Sequence, residues 1–191
     1  MKLVVGLGNP GKSHKGDRHN VGFSLLERLC LNRKVELREN PKHKAMVGAD
    51  ANGIRFLKPL TYMNLSGLSV KSISQYYNIS PELILVFHDE LDLPAGEIKL
   101  KRGGGTGGHN GLRSVEEHLS SKDYCRVRVG IGRPEGRQSV TSYVLSTPSR
   151  DDGRVIESGM ERVLAHAEDL LSGYFDRAMN FLNQRSSLEN L

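Results

Sequence analysis

The sequence is poor in several features that define large classes of protein. Only two cysteines occur among its 191 residues, Cys30 and Cys125, and they lie too far apart for a metal-binding or redox motif. We therefore expect both to be reduced core thiols, as in a cytosolic protein. Aromatic residues make up only 6% of the chain, which argues against the aromatic platforms that bind single-stranded nucleic acids.

Long hydrophobic runs are also missing. No segment approaches the ~20 apolar residues of a membrane span. The apolar run "KLVV" near the start has four residues and is too short for a secretory signal, so we expect none. A hydrophobic fraction of 37% is typical of a globular protein that buries one core. The formal net charge of +5 favours a polyanionic partner, although many basic proteins bind none.

Strand-like and helix-like patterns alternate along the chain. Apolar or alternating segments predict strands at 2–7, 83–87, 97–102 and 125–132, and a hairpin at 44–59. Apolar residues at helical spacing predict helices at 20–33, 64–78, 110–121 and 151–183. This pattern predicts one α/β domain over residues 1–183, with a mixed twisted sheet flanked by helices. The polar end, 184–191, is predicted to be a frayed tail.

The stretch "GLGNPG" at 6–11 has the glycine spacing of dinucleotide-binding loops. Such a loop opens a helix, and an acidic residue that binds the ribose closes a second strand roughly 20 residues later. Here a polar segment follows, and the acid at that distance, Glu27, falls inside an amphipathic helix. The context therefore excludes a dinucleotide site and favours a turn in which the backbone approaches another part of the molecule.

Polar side chains cluster where predicted strands end or helices begin, the places where α/β proteins bind ligands. These clusters contain Asn9 and His19, then Met63 and Asn64, then Asp89, and finally His109 and Asn110. Amides can hold a peptide carbonyl or N–H without adding charge, and a histidine backed by a carboxylate can activate water. No nucleophilic serine or cysteine motif is found, so the residues predict attack by water on a carbonyl, with histidine as the base.

Alternative interpretations of these motifs remain. His88, Asp89 and Asp92 could form a metal site, although the usual ligand spacing on one element is missing. Asn9 could only cap a turn, and His109-Asn110 could only cap a helix. The run "GGGTGG" could be a linker, but it joins a strand directly to a helix, which favours a mobile gate.

Four segments together closely resemble the bacterial peptidyl-tRNA hydrolase family over residues 1–145. They are "KLVVGLGNPG…RHNVGF", "KPLTYMNLSG", "HDELDLPAGEIKLKRGGGTGGHNGL" and "RVRVGIGRP". The resemblance implies hydrolysis of the ester between a peptide and the 3′-terminal ribose of tRNA. It further implies a monomeric, cytoplasmic α/β enzyme with no metal or other cofactor and no membrane association.

The resemblance also implies roles for individual residues. His19 would be the base and Asp89 its electrostatic support. The substrate would be bound by Asn9, Met63, Asn64, His109 and Asn110. Lys101 and Arg128 correspond to family positions that hold the 5′-phosphate of tRNA, consistent with charge-assisted phosphate binding.

Two positions depart from the family pattern. His14 stands where the family usually has a tyrosine that contacts the substrate, so we include His14 among the substrate-binding residues. Asp17 stands where a threonine is usual.

Two other functions are compatible with part of the sequence. A non-catalytic RNA-binding module would explain the basic strand at 97–102 but not the polar residues at the loop ends. The other is a general esterase or amidase that acts on small molecules, and release of peptide from peptidyl-tRNA, compared with cleavage of a small N-acyl ester, would discriminate it.

Overall fold

The computed structural model describes residues 1–184, which form a mixed seven-stranded sheet with helices on both faces. The strands are β1 (Leu3–Gly6), β2 (Arg38–Asn40), β3 (Ala45–Ala49), β4 (Arg55–Pro59), β5 (Ile84–Glu90), β6 (Ile98–Arg102) and β7 (Cys125–Gly130). The helices are α1 (Val21–Asn32), α2 (Ser66–Tyr76), α3 (Asn110–Leu119), α4 (Val140–Val144), α5 (Arg150–Ala165), α6 (Ala167–Leu171) and α7 (Phe175–Leu182). All but the first residue of the tail predicted at 184–191 lies outside the described residues.

The strand order is β2-β3-β4-β1-β5-β7-β6. The four central strands, β4, β1, β5 and β7, run parallel, while β2, β3 and β6 pair antiparallel with their neighbours. The predicted mixed α/β sheet is thus confirmed. Because the central strands are parallel, their carboxyl ends share one edge of the sheet, and the loops that follow them converge there.

Two apolar cores form, one on each face of the sheet. Leu85 and Phe87 of β5 point into the core beneath α1 and α5–α7, and Ile84 and Val86 point into the core beneath α2 and α3. Side chains alternate along a strand, so Asp89 continues the α1 face and His88 the opposite face. This alternation places a carboxylate next to the turn that precedes α1.

The glycines of "GLGNPG" serve close packing of α1 on the sheet. A Cβ at Gly6 would lie 2.4 Å from the carbonyl oxygen of Gly22, and one at Gly8 would lie 2.6 Å from the ring of Phe23. A Cβ at Gly22 would lie 2.4 Å from the carbonyl oxygen of Phe87. The start of α1 therefore touches the ends of two strands, backbone against backbone, as expected for a close approach rather than a dinucleotide site.

The edge strand β6 is covered by one amide side chain. Asn183, just after α7, accepts a hydrogen bond from Leu100 N through its Oδ1 at 2.6 Å. Its Nδ2 donates to the carbonyl of the same residue at 3.2 Å. The side chain thus pairs with β6 as a neighbouring strand would.

Several predicted elements differ in detail from the structure. The helical segment predicted at 151–183 is divided into α5, α6 and α7, and Gly173 with φ of 97° separates the last two. The prediction missed β2 and α4. Both cysteines are unpaired and buried, and burial raises the pKa of Cys30 to about 12. Within residues 1–184, no helix combines the length and apolar character that crossing a membrane requires.

Replacing Gly22 with alanine should destabilise the fold, because the new methyl group meets backbone atoms that cannot move aside. We expect the free energy of unfolding to fall by about 1–3 kcal/mol, as for other overpacked sites, measured by denaturant titration. The control is Gly153→Ala in α5, where a Cβ meets no atom within 4 Å. That change should raise the free energy of unfolding by roughly 0.5–1 kcal/mol through helix propensity alone. Equal effects of the two changes would contradict the close approach.

Candidate active site

A pocket of about 880 Å³ opens at the carboxyl edge of the central strands. Eight of the ten residues predicted from the sequence line it, namely Asn9, His14, His19, Met63, Asn64, Asp89, His109 and Asn110. The other two, Lys101 and Arg128, lie on β6 and β7 outside it. The parallel sheet thus brings together residues that are up to 101 positions apart in the chain.

At the centre of the pocket, two imidazoles bind one carboxylate. Nδ1 of His19 lies 2.9 Å from both oxygens of Asp89, and Nε2 of His109 lies 2.9 Å from Oδ1 of the same residue. Asp89 is 3% exposed, so its charge is compensated mainly by these contacts. His19 belongs to the short turn before α1, whereas His109 is the residue that caps α3, so the carboxylate joins two elements from opposite faces of the sheet.

The hydrogen bonds define which nitrogen of each ring carries a proton. Nδ1 of His109 accepts from the backbone N–H groups of Gly111 and Leu112, at 3.1 and 3.2 Å, so its proton is on Nε2 and is donated to Asp89. His19 donates to the same carboxylate through Nδ1. Nε2 of His19 is therefore the free nitrogen, and it has no hydrogen-bond partner in the described part of the chain.

The electrostatics of the two groups agree with this arrangement. Burial alone would raise the pKa of Asp89, but His109 and His19 outweigh burial and hold that pKa well below its usual range. Burial lowers the pKa of His19, yet the charge and hydrogen bond of Asp89, with a smaller effect of Asp17, raise it above its ordinary value of 6.5. His19 is thus a stronger base than a free imidazole, backed by an ionised carboxylate.

The same three side chains could hold a metal ion, since one ligand atom from each lies within 4.8 Å of the others. An ion would have to replace the protons that His19 Nδ1 and His109 Nε2 donate to Asp89. The alternative set from the sequence, His88, Asp89 and Asp92, is not a ligand cluster among residues 1–184. Asp92 instead pairs with Arg133, and His88 donates from Nδ1 to the backbone oxygen of Asp89 at 2.7 Å.

Asn9 is held so that one polar atom remains available. Its Oδ1 accepts from Met63 N at 2.8 Å, and its backbone N–H and C=O pair with the amide of Asn20 at 2.8 and 2.9 Å. Among residues 1–184, the Nδ2 donor of Asn9 has no hydrogen-bond partner, and Asn9 lies at the pocket wall. Asn9 therefore does more than cap a turn. Sequence reasoning missed the role of Asn20, although its place next to His19 in "RHN" was a usable signal.

Asn64 and Asn110 bring two further amide side chains to the pocket. Both are exposed at the pocket, at the start of α2 and of α3. Within residues 1–184 neither side chain makes a hydrogen bond, so their donors and acceptors are free for a bound molecule. Met63 beside them is buried, and its sulfur would lie 2.5 Å from a Cβ at Gly111, so it packs the floor between these two helices.

The two residues that depart from the family pattern contact each other. Nδ1 of His14 lies 2.7 Å from Oδ2 of Asp17. The Asp17 side chain makes no capping hydrogen bond to the turn that carries His19. His14 lines the pocket and is held there by Asp17.

Lys101 and Arg128 lie on one face of the β6–β7 pair. The register sets Lys101 opposite Arg126 and Lys99 opposite Arg128, so Lys101 and Arg128 are diagonal neighbours. Lys101 is exposed and has no ion pair among residues 1–184. Nε of Arg128 donates to Glu90 at 2.9 Å, and Glu90 lines the pocket, so Arg128 lies closer to the pocket than the sequence indicated.

The glycine-rich segment between β6 and α3 is anchored in its first half. Arg126, which is 2% exposed, donates to the carbonyls of Gly104 and Gly105 at 2.6 and 2.7 Å and to Glu116 of α3 at 2.9 Å. In the second half, Thr106 O accepts from His109 N at 2.9 Å, and Gly107 and Gly108 make no hydrogen bond to any of residues 1–184. Motion of this segment as a gate stays a prediction.

One wall of the pocket was not predicted. Side chains from α4 and its end complete the pocket, namely Val140, Thr141, Val144 and Leu145. A helix of five residues is too short to show a hydrophobic period, so no sequence pattern predicts it. This wall adds apolar surface to a pocket whose other side chains are largely polar.

Comparison with known proteins identifies the same family as the motifs. A family model described as peptidyl-tRNA hydrolase matches residues 3–190. The peptidyl-tRNA hydrolase of Neisseria gonorrhoeae is 44% identical over 188 residues, covering 97% of this chain and 98% of that protein. That of Halorhodospira halophila is 45% identical and covers 96% of both. A crystal structure of peptidyl-tRNA hydrolase from Acinetobacter baumannii superposes with a TM-score of 0.92 at 40% identity, covering 96% of this chain and 94% of that one.

His88 should make the fold sensitive to acid. Burial lowers its pKa to about 3, so it stays neutral in the folded protein while the unfolded chain binds a proton below pH 6.5. Stability should therefore fall as pH falls from 6.5 towards 3, with a slope approaching about 1.4 kcal/mol per pH unit from this residue. His88→Asn, which cannot titrate there but keeps a donor near Nδ1, should lose stability less steeply. Parallel slopes in urea titrations at pH 6.5, 5.5 and 4.5 would contradict this assignment.

Proposed function

Since this chain belongs to the peptidyl-tRNA hydrolase family, we propose that His19 is the base with which it hydrolyses the ester between peptide and tRNA. The activity itself follows from the family. The observation that carries the assignment is the free Nε2 of His19, on a ring fixed by Asp89 through Nδ1 and facing the pocket.

In this mechanism His19 Nε2 takes a proton from a water molecule as that water attacks the ester carbonyl. The imidazolium formed is stabilised by the ionised carboxylate of Asp89, which stays unprotonated throughout. The 3′ oxygen of the terminal ribose leaves with a proton that the imidazolium can return. The products are a free peptide and a tRNA with its 3′ end intact.

The amides fit the binding of an uncharged peptide and of the developing charge. Nδ2 of Asn9 is the donor left over at the wall, and it can stabilise the oxygen of the attacked carbonyl. Asn64 and Asn110 offer donors and acceptors to the peptide backbone and the attacking water, and Met63 supplies an apolar floor. His14 adds a further polar contact for the substrate. His109 holds Asp89 and closes the site beside it.

Lys101 and Arg128 are proposed to bind the 5′-phosphate of the tRNA. Lys101 is free of carboxylates in the part of the chain described, and it lies diagonally across two strands from Arg128. Two cations at that spacing suit a phosphate with two ionised oxygens.

The remaining proposals concern the setting of the enzyme. We infer that residues 1–183 act as one domain, supported by the continuous sheet, and that the chain works as a cytoplasmic monomer without a metal or other cofactor. Its substrate arises in translation, which supports the cytoplasmic setting. The hydrogen bonds from His19 and His109 already compensate the charge of Asp89, so that carboxylate needs no metal ion.

His19→Ala should lower the turnover number by about 10²–10⁴-fold, as is typical of a lost general base, while the fold remains intact. The measurement is release of peptide from peptidyl-tRNA, with circular dichroism to monitor folding. His118→Ala is the matched control, because this histidine of α3 bonds to Ser114 O outside the catalytic pocket, and it should keep normal turnover. Turnover near the wild-type value in His19→Ala would contradict the mechanism.

Lys101→Ala and Arg128→Ala should raise KM for peptidyl-tRNA and flatten its salt dependence, because a phosphate contact acts through charge. The change in kcat should be small, the pattern of lost uniform binding. Lys71→Ala, an exposed lysine on α2, is the control for net charge.

A minimal substrate without the tRNA body and its 5′-phosphate separates phosphate binding from other effects. Lys101→Ala should cleave it as well as the wild type does. Arg128→Ala is less clean, since it also leaves Glu90 at the pocket without its partner. An equal loss on both substrates in Lys101→Ala would exclude the phosphate contact.

A further inference from the structure

Arg18 occupies an unusual place beside the proposed catalytic base. It directly precedes His19 in the same short turn, Arg18–Asn20, and is only 8% exposed. A buried guanidinium must be compensated by hydrogen bonds, because an unpaired buried charge is strongly destabilising. Within residues 1–184, the side-chain partners of Arg18 all lie in one distant segment, from Tyr143 in α4 to Asp152 in α5.

The contacts with that segment form a connected set. Nη1 of Arg18 donates to Ser146 Oγ at 2.8 Å, to Thr147 O at 2.9 Å and to Ser146 O at 3.3 Å. Nη2 donates to Asp152 of α5 at 3.3 Å, and the backbone N–H of Arg18 donates to Ser146 O at 3.1 Å. The guanidinium also lies 4.2 Å from the ring centre of Tyr143 in α4.

α4 depends on such contacts for its position. A single helix of five residues is far below the length at which a helix is stable alone. Tyr143 and Val144 are buried in the apolar core, and the hydroxyl of Tyr143 donates to Ile131 O at 2.6 Å. Because Val140, Thr141 and Val144 form one wall of the pocket, these contacts together with Arg18 hold that wall in place.

We propose that Arg18 is a positioning residue that fixes the α4 wall of the pocket relative to His19, and so sets the affinity for the substrate. The proposal rests on the proposed function of His19. Arg18 itself touches neither the reacting atoms nor the free nitrogen of the base. When the wall is loosened, only a fraction of molecules holds the binding-competent pocket, and the apparent dissociation constant rises by the inverse of that fraction. Once substrate is bound, the wall is in place and the proton transfer proceeds as before.

Arg18→Lys is the first test, because lysine keeps the charge but cannot reach several acceptors in one plane. We expect KM for peptidyl-tRNA to rise by about tenfold, equivalent to about 1.4 kcal/mol of binding, with kcat within about threefold of the wild type. Hydrogen exchange at Tyr143, Leu145 and Ser146 should quicken in the same variant, since their amides report on α4.

Two further variants separate this role from simple stabilisation. Arg28→Lys is the matched control, because Arg28 also bridges two elements, through Glu157 and Glu161 of α5, but lies away from the pocket. It should leave KM unchanged. Tyr143→Phe removes the hydrogen bond to Ile131 O and keeps the ring against Arg18, so it should also raise KM. It tests the wall even if Arg18→Lys fails to fold.

The outcomes are distinct. A raised KM with kcat retained in Arg18→Lys and Tyr143→Phe, but not in Arg28→Lys, supports the proposal. A lower melting temperature with unchanged KM would make Arg18 a purely structural residue and overturn it. A loss in kcat as large as the rise in KM would also overturn it. His19→Ala, measured with the same substrate, tests the base independently, so failure of that assignment is distinguishable from failure of this one.

Discussion

The buried carboxylate of Asp89 is the group on which the arrangement of the site depends. It accepts hydrogen bonds from His19, in the turn before α1, and from His109, the N-cap residue of α3. These elements belong to opposite faces of the sheet, so the carboxylate joins the two helical layers at the carboxyl edge of β5. Removing either imidazole would leave much of a buried charge uncompensated, which is costly. The same hydrogen bonds therefore determine how the two helical layers pack and how His19, the proposed base, is oriented.

The hydrogen bonds to Asp89 use different ring nitrogens of His19 and His109. The backbone amides of α3 occupy Nδ1 of His109, which commits that ring to donate to Asp89 from Nε2. His19 meets the carboxylate through Nδ1 and keeps Nε2 free. Helix capping thus decides which histidine can act on water. Residue identity alone could not have made this distinction, because both are histidines in polar loops.

The sequence predicted the parts of the structure that have a strong local pattern. Periodicity and turn residues predicted the hairpin of β3 and β4, the buried strand β5 and the amphipathic α1. Of the ten site residues proposed from the sequence, eight line one pocket. Elements without a period, such as the three-residue β2 and the five-residue α4, were missed. Long-range pairs were missed as well. The hydrogen bond between Arg18 and Ser146 joins residues 128 positions apart, and nothing in the local sequence of either residue indicates that the other is its partner.

The amide of Asn183 on the rim of the sheet has a consequence for how chains of this protein meet one another. An uncovered outer strand offers a row of donors and acceptors to any second strand, which is the common route to edge-to-edge association. By occupying both polar backbone groups of Leu100, Asn183 blocks the middle of β6 as a template for that route. The C-terminal part of the described chain thus protects the edge strand β6 from pairing with a second molecule. A protein shortened before Asn183 would expose the backbone groups of Leu100 to such pairing.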